Sequence, residues 1–183
     1  KLLFALQYIY KRKETYKKQV MIKFNFPSSF WLIAEQIGYA RGVMNKENNK
    51  INKRFDRGVK NKQVDVLGVL GELIAIEYLS QKNIDFNLAN LLDFKSSKNP
   101  DFILKSKRID VKTNKYTKYS HLLVNEEAHK KGLNKIDLYW FVYIIDKNTA
   151  EFYFIDYSDV SQWDCKLMKY TNAFYIKREN LWD

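Results

Sequence analysis

At 183 residues the chain is long enough for one domain with a sizeable core, and 46% hydrophobic with 16% aromatic residues excludes general disorder. Lysine and arginine outnumber the acids 32 to 21, a formal net charge of +11 that attracts polyanions, although a basic composition also serves solubility. No apolar run approaches the length of a membrane span, and the lone Cys165 excludes an intramolecular disulfide framework and a multi-cysteine zinc site, so a reducing, cytoplasmic setting is the default.

In chain order, Leu2, Leu3, Leu6, Ile9 and Tyr10 have helical spacing and are followed by a basic run over residues 11–18. As a secretory signal this segment fits poorly, because no small-residue cleavage site follows its apolar part. We expect a helix packed on the body or on a partner subunit. Ser28 or Ser29 can then cap a helix whose apolar positions are Phe30, Ile33, Ala34, Ile37, Ala40 and Met44. From 41 to 62 the chain carries Arg41, Lys46, Lys50, Lys53, Arg54, Arg57, Lys60 and Lys62 against only Glu47 and Asp56. Such a run is either a solvated linker or an arm that touches phosphates.

The stretch 65–71 can start the next helix, with Gly68 and Gly71 allowing another backbone to come close. In that helix Glu72 falls in line with Ala75, Ile76 and Leu79, on the stripe that should be buried, while Glu77 falls away from it. A carboxylate on an apolar stripe needs a partner, and a metal ion is one. The helix dipole, which favours acids near a helix start, is the competing explanation. Residues 83–98 read as an irregular or strand-like connection.

The run 99–113 reads as two short strands around the polar turn Lys105-Ser106-Lys107, with Phe102, Ile103 and Leu104 before it and alternating Ile109 and Val111 after it. Alternation turns Asp110 and Lys112 to one face, and Asp101 can come alongside them. Two carboxylates and an ammonium then share a small volume suited to a hard divalent cation held through oxygen. Taken singly, Asp101 after a proline is also a turn residue, and Lys112 a solvated strand lysine.

Further along, His121-Leu122-Leu123-Val124 is expected as a third strand, and Asn125 as the cap of a short helix opening with Glu126-Glu127. The nearly continuous apolar run over 138–145 predicts a central strand buried on both faces. A turn at 146–149 and a strand over 151–156 follow, and 173–176 adds an edge strand. Thr113, Asn114 and Lys115 could touch a substrate backbone. His121 and His129 lack metal-site spacing and are read as structural or surface residues. Trp31, Trp140, Trp163 and Trp182 are assigned to the core or an interface.

These residues resemble the PD-(D/E)XK nuclease family: Pro100-Asp101 is the PD, Asp110-Val111-Lys112 the D-X-K, and Glu72 the additional acid on an upstream helix. The resemblance covers roughly residues 66–145. It implies an α/β fold with a restriction-endonuclease-like mixed β-sheet flanked by helices. Residues 1–62 would be a helical N-terminal arm with a basic segment, and 63–183 the nuclease core. It further implies cleavage of phosphodiester bonds in DNA with magnesium, or manganese in its place. Asp101, Asp110, Glu72 and the Val111 carbonyl would hold the metal, and Lys112 would sit beside the scissile phosphate. Arg41, Lys53, Arg54, Arg57, Lys60 and Lys115 are the candidate DNA contacts. Within the family the chain looks most like a restriction-type endonuclease acting as a homodimer, with no membrane association. A structure-selective nuclease, such as a junction resolvase or a phage or repair enzyme, and a non-catalytic basic nucleic-acid-binding module are the alternatives.

Overall fold

The computed structural model describes residues 21–47, 59–88, 100–115, 121–133, 135–167, 172–177 and 180. The helix expected over 1–20, Lys53, Arg54 and Arg57, the side chain of Lys60, and Trp182 lie outside the described residues.

Strands β1 (Ile22–Asn25), β2 (Asn87–Leu88), β3 (Phe102–Leu104), β4 (Lys107–Lys115), β5 (His121–Asn125), β6 (Leu138–Ile144), β7 (Thr149–Asp156), β8 (Asp164–Leu167) and β9 (Asn172–Lys177) are joined by helices α1 (Phe30–Glu47), α2 (Val59–Gln81), α3 (Glu126–Gly132) and α4 (Tyr157–Val160). The fold is mixed α/β. Six strands form one sheet in the order β1-β7-β6-β4-β3-β2, and the other three form a second sheet in the order β5-β9-β8. The β4–β6 pair is parallel, and the remaining pairs of the large sheet are antiparallel.

The apolar run at 138–145 became β6, and all seven of its residues are buried. A strand buried on both faces must be covered twice, and period-2 alternation divides its side chains between two cores. Leu138, Trp140, Val142 and Ile144 pack with Val69, Leu70, Ile74 and Leu79 of α2. Tyr139, Phe141 and Tyr143 pack on the other face with Leu122 and Val124 of β5 and Val160 of α4. Aromatic edges fill the first core, where Tyr78 meets both Trp140 and Phe152 in T-shaped contacts at 5.9 and 5.1 Å.

Several expectations are met, and others are corrected. Asn125 caps α3, its side-chain oxygen accepting from the Ala128 N–H at 2.8 Å. His129, in that helix, is structural: it is buried, lies within hydrogen-bond distance of Tyr139 OH at 3.0 Å and Ser161 Oγ at 2.9 Å, and stacks on Tyr157 at 4.0 Å. The strand expected after β4 forms as β5, in the second sheet, and β9 is the middle strand of that sheet rather than an edge. Helix α2 begins at Val59, earlier than the 65–71 start, and α1 runs on to Glu47. The basic stretch is therefore helical at both ends. Ile33, expected on the packing stripe of α1, is exposed. Phe24, Phe26 and Ala34 are buried in the same core as β6.

Two glycines let the layers meet. A Cβ on Gly38 of α1 would lie 2.8 Å from the Val66 nitrogen, and one on Gly71 of α2 would lie 1.8 Å from Thr113 Oγ1 of β4. Gly68, which was expected to serve the same purpose, has nothing within 4 Å of its would-be Cβ. Among the described residues, no helix is long and apolar enough to cross a membrane.

Candidate active site

Lys105 and Ser106, at φ 44° and 69°, put both central residues of the β3–β4 turn in the left-handed conformation of a two-residue hairpin. The turn is one residue shorter than the sequence reading had it, and Lys107 already pairs with Leu104. The β3 pairing ends at Phe102↔Ile109, so β4 from Asp110 onward has β6 along one side and, among the described residues, no strand along the other.

The candidate site is built round that open edge. Asp101 sits at the bend before β3, where its own N–H donates to the Ile109 carbonyl at 2.9 Å. Its carboxylate accepts the Val111 N–H at 2.7 Å, satisfying an edge donor that no strand among the described residues reaches. Alternation along β4 sends Ile109 and Val111 into the core under α2 and turns Asp110 and Lys112 to the opposite face. There the Lys112 ammonium pairs with Asp110 Oδ2 and lies 5.7 Å from the centre of the Tyr139 ring. Glu72 arrives from α2, one residue after the glycine that seats this helix against Thr113.

Glu72 does not face its neighbours alone. Arg41 of α1 grips it with both arms of the guanidinium, Nη1 donating to Oε1 at 2.8 Å and Nη2 to Oε2 at 2.7 Å. The two side chains are only 17% and 12% exposed. Burial opposes the guanidinium charge, but the hydrogen bonds and charge of Glu72, with Asp101 and Asp65 behind it, hold the Arg41 pKa above its ordinary value.

The acids crowd one another. Burial, then the charges of Asp110 and Glu72, push the Asp101 carboxyl up to about 8, against the pull of the Val111 N–H and Lys112. Lys112 is also desolvated, which works to lower its pKa, yet Asp110, Asp101 and Glu72 together raise it. The structure thus brings Glu72, Asp101, Asp110 and Lys112 within electrostatic reach. It does not close the three carboxylates into a ligand set: among the described residues no three His, Cys, Asp or Glu groups converge tightly enough to hold a metal ion. Both Glu72 oxygens are instead engaged by Arg41.

The donors nevertheless suit a hard cation. Asp101 and Asp110 offer carboxylate oxygens on either side of Val111, and their mutual repulsion is relieved by positive charge, from a proton or from a metal. The Val111 carbonyl belongs to the same short stretch.

The proposed DNA contacts fare differently. Arg41, expected in a phosphate-touching arm, is folded onto Glu72. Lys115 is exposed but holds its ammonium 5.1 Å over the Trp31 ring, at α1. Lys60 lies in the first turn of α2. Thr113 and Asn114 are used internally, Thr113 against Gly71 and Asn114 through its Nδ2 donating to the His121 carbonyl at 2.9 Å. Sequence reasoning missed the Arg41–Glu72 pair although a signal existed. Arg41 follows Ala34, Ile37 and Gly38 at helical spacing, and a charge on a buried stripe needs an opposite charge to meet it.

Compared with known proteins, the chain matches no family model and no curated protein.

Proposed function

We propose that this protein is a metal-dependent DNA endonuclease of the restriction-endonuclease-like kind. The observation that carries the reading is the meeting, at one open strand edge, of Asp101, Asp110 and Lys112 with Glu72 of α2 close by. The side chains come from three separate elements, α2, the bend before β3, and β4. Asp101, Asp110 and the Val111 carbonyl would hold magnesium, or manganese in its place, with Glu72 as a further ligand directly or through water. When bound, such a cation polarises the phosphodiester and supplies an activated water.

The chain's own groups do the rest. Lys112, kept charged by its pairing with Asp110, stabilises negative charge building on the phosphate. Val111 N–H fixes the Asp101 carboxylate so that it cannot turn away from the edge. The +11 excess draws the polyanion in. DNA is the proposed partner, and a homodimer would place one site on each strand of a duplex.

The test is cleavage of supercoiled plasmid and of a synthetic four-way junction by wild type, Asp110→Ala and Lys112→Ala, with magnesium and with chelator. Magnesium-dependent linear fragments that disappear in both variants are expected. Cutting confined to the junction would reassign the substrate to branched DNA. Tight, salt-sensitive binding of both DNAs with no cleavage at any metal concentration would leave a basic binding module instead.

A further inference from the structure

The Arg41–Glu72 pair has two readings. It could be a brace between α1 and α2, or it could be a device that keeps the third acid from the cation until DNA arrives. The geometry favours the second. The missing side chain at Gly38 already lets the two helices come close at Val66, so their approach does not depend on the ion pair alone. A guanidinium fork that matches a carboxylate matches a phosphodiester equally well, because both present paired oxygens with negative charge. The fork is also held on an acid whose charge reaches Asp101, and the charges of Glu72, Asp101 and Asp65 all act on the guanidinium. Its grip uses both Glu72 oxygens, so Glu72 can serve a cation fully only when Arg41 lets go.

We infer that Arg41 is a phosphate-sensing latch: in the free protein it withholds Glu72, and on contact with the DNA backbone it transfers to a phosphate and releases Glu72 to complete the cation site. This inference rests on the endonuclease reading and adds to it an order of events, DNA first and full metal affinity second. Arg41 acts here as a positioning residue, since its effect on the site runs through Glu72. The exchange is close to neutral in charge, as Arg41 trades one anion for another while Glu72 trades a cation for a cation.

Such a latch makes DNA and metal tighten each other's binding by the same factor, which linkage requires. The test measures Mn²⁺ affinity by calorimetry on the full chain carrying Lys112→Ala to suppress cleavage, with and without a short duplex. The expected coupling is about tenfold or more. Simple co-ligation of the metal by a DNA phosphate would also give coupling, so two further variants decide the point. In Glu72→Gln there is no carboxylate to release, and the latch predicts that coupling falls to near one. In Arg41→Ala, Glu72 is never withheld, and Mn²⁺ should bind the DNA-free protein about tenfold more tightly, with little further gain from DNA.

Coupling that survives undiminished in Glu72→Gln overturns the latch, as does an Arg41→Ala protein whose DNA-free Mn²⁺ affinity equals that of its parent. Should Arg41→Ala fail to fold, as judged by circular dichroism, the Glu72→Gln comparison still decides. The two proposals fail differently. A protein that binds both DNA and Mn²⁺ with no coupling loses the latch and keeps the nuclease reading, whereas one that binds no Mn²⁺ under any condition loses both.

Discussion

Replacing Gly71 by alanine tests the seat on which the whole site depends. Its new methyl group would lie 1.8 Å from Thr113 Oγ1, 2.9 Å from Thr113 Cβ and 3.1 Å from Thr113 Cγ2. Turning Thr113 about χ1 can move the hydroxyl and the methyl but not the Cβ, which stays about half an ångström inside ordinary contact distance. So α2 must back away from β4, or β4 must bend. Overpacking of this kind costs about 1–3 kcal/mol, and the better helix propensity of alanine returns about 1 kcal/mol. Allowing for the partial relief that Thr113 can provide, we expect a net loss of about 1–2 kcal/mol. Gly68, one turn earlier in the same helix, has open space where its Cβ would be, so Gly68→Ala keeps only the propensity gain of about 1 kcal/mol. Two identical substitutions three residues apart should therefore move stability in opposite directions, by about 2–3 kcal/mol in total. Urea unfolding measures both, and in thermal unfolding the gap amounts to roughly 4–12 °C for a chain of this size. The double variant Gly71→Ala with Thr113→Ala should recover part of the loss. Equal stabilisation by both alanines would refute the seating of α2 on β4, and with it the approach of Glu72 to Asp101.

Three other outcomes follow from the geometry. The Asp101 carboxyl titrates near 8 in the fold against an ordinary 3.8, so the folded state holds its proton more tightly than the unfolded chain. Stability should then decline as pH rises from about 4 through about 8, by an amount on the order of a few kcal/mol, and level off above. Magnesium should restore it, raising Tm more at pH 8.5 than at pH 5, whereas Asp101→Asn should stabilise the metal-free protein at high pH and abolish the magnesium response; an unaltered response in that variant would argue against Asp101 as a ligand. At the hairpin, changing Lys105-Ser106 to Asn-Gly supplies residues that tolerate positive φ, and should raise stability by about 1 kcal/mol in urea, with a loss contradicting the turn geometry. His129→Ala removes the contacts to Tyr139 OH and Ser161 Oγ and the stack on Tyr157, at a cost of about 3 kcal/mol. Because burial lowers the His129 pKa, its contribution is complete above pH 6.5 and fades as pH falls below that, so the variant should show a flatter acid limb.

Much of this architecture was legible because local pattern decides it. Eight consecutive apolar and aromatic residues have no stable place other than a strand covered on both faces, and the run at 138–145 took that place as β6. The Asn125 cap depends on a side chain and an N–H three residues away. The common face of Asp110 and Lys112 follows from the two-residue repeat of any strand, whatever its neighbours. Helical spacing likewise put Glu72 on a buried stripe.

Local pattern alone thus settled element types, the faces of residues within each element, and a set of acids and a lysine of matching chemistry. Tertiary structure decided which elements became neighbours. The His121–Asn125 strand looks no different locally from one that would extend the large sheet, and only its pairing with Asn172–Lys177 placed it in the second. Gly71 and Gly68 are indistinguishable in a helix drawn alone, yet one touches β4 and the other touches nothing. Arg41 and Glu72 stand 31 positions apart, on helices whose own periodicities say only that each bears a charge turned inward. Their pairing follows from the crossing of α1 and α2 at Gly38, because a buried charge is tolerated only where packing delivers its counter-charge. Periodicity is a property of a few consecutive residues, whereas the partner of a buried charge is a property of the whole packed chain.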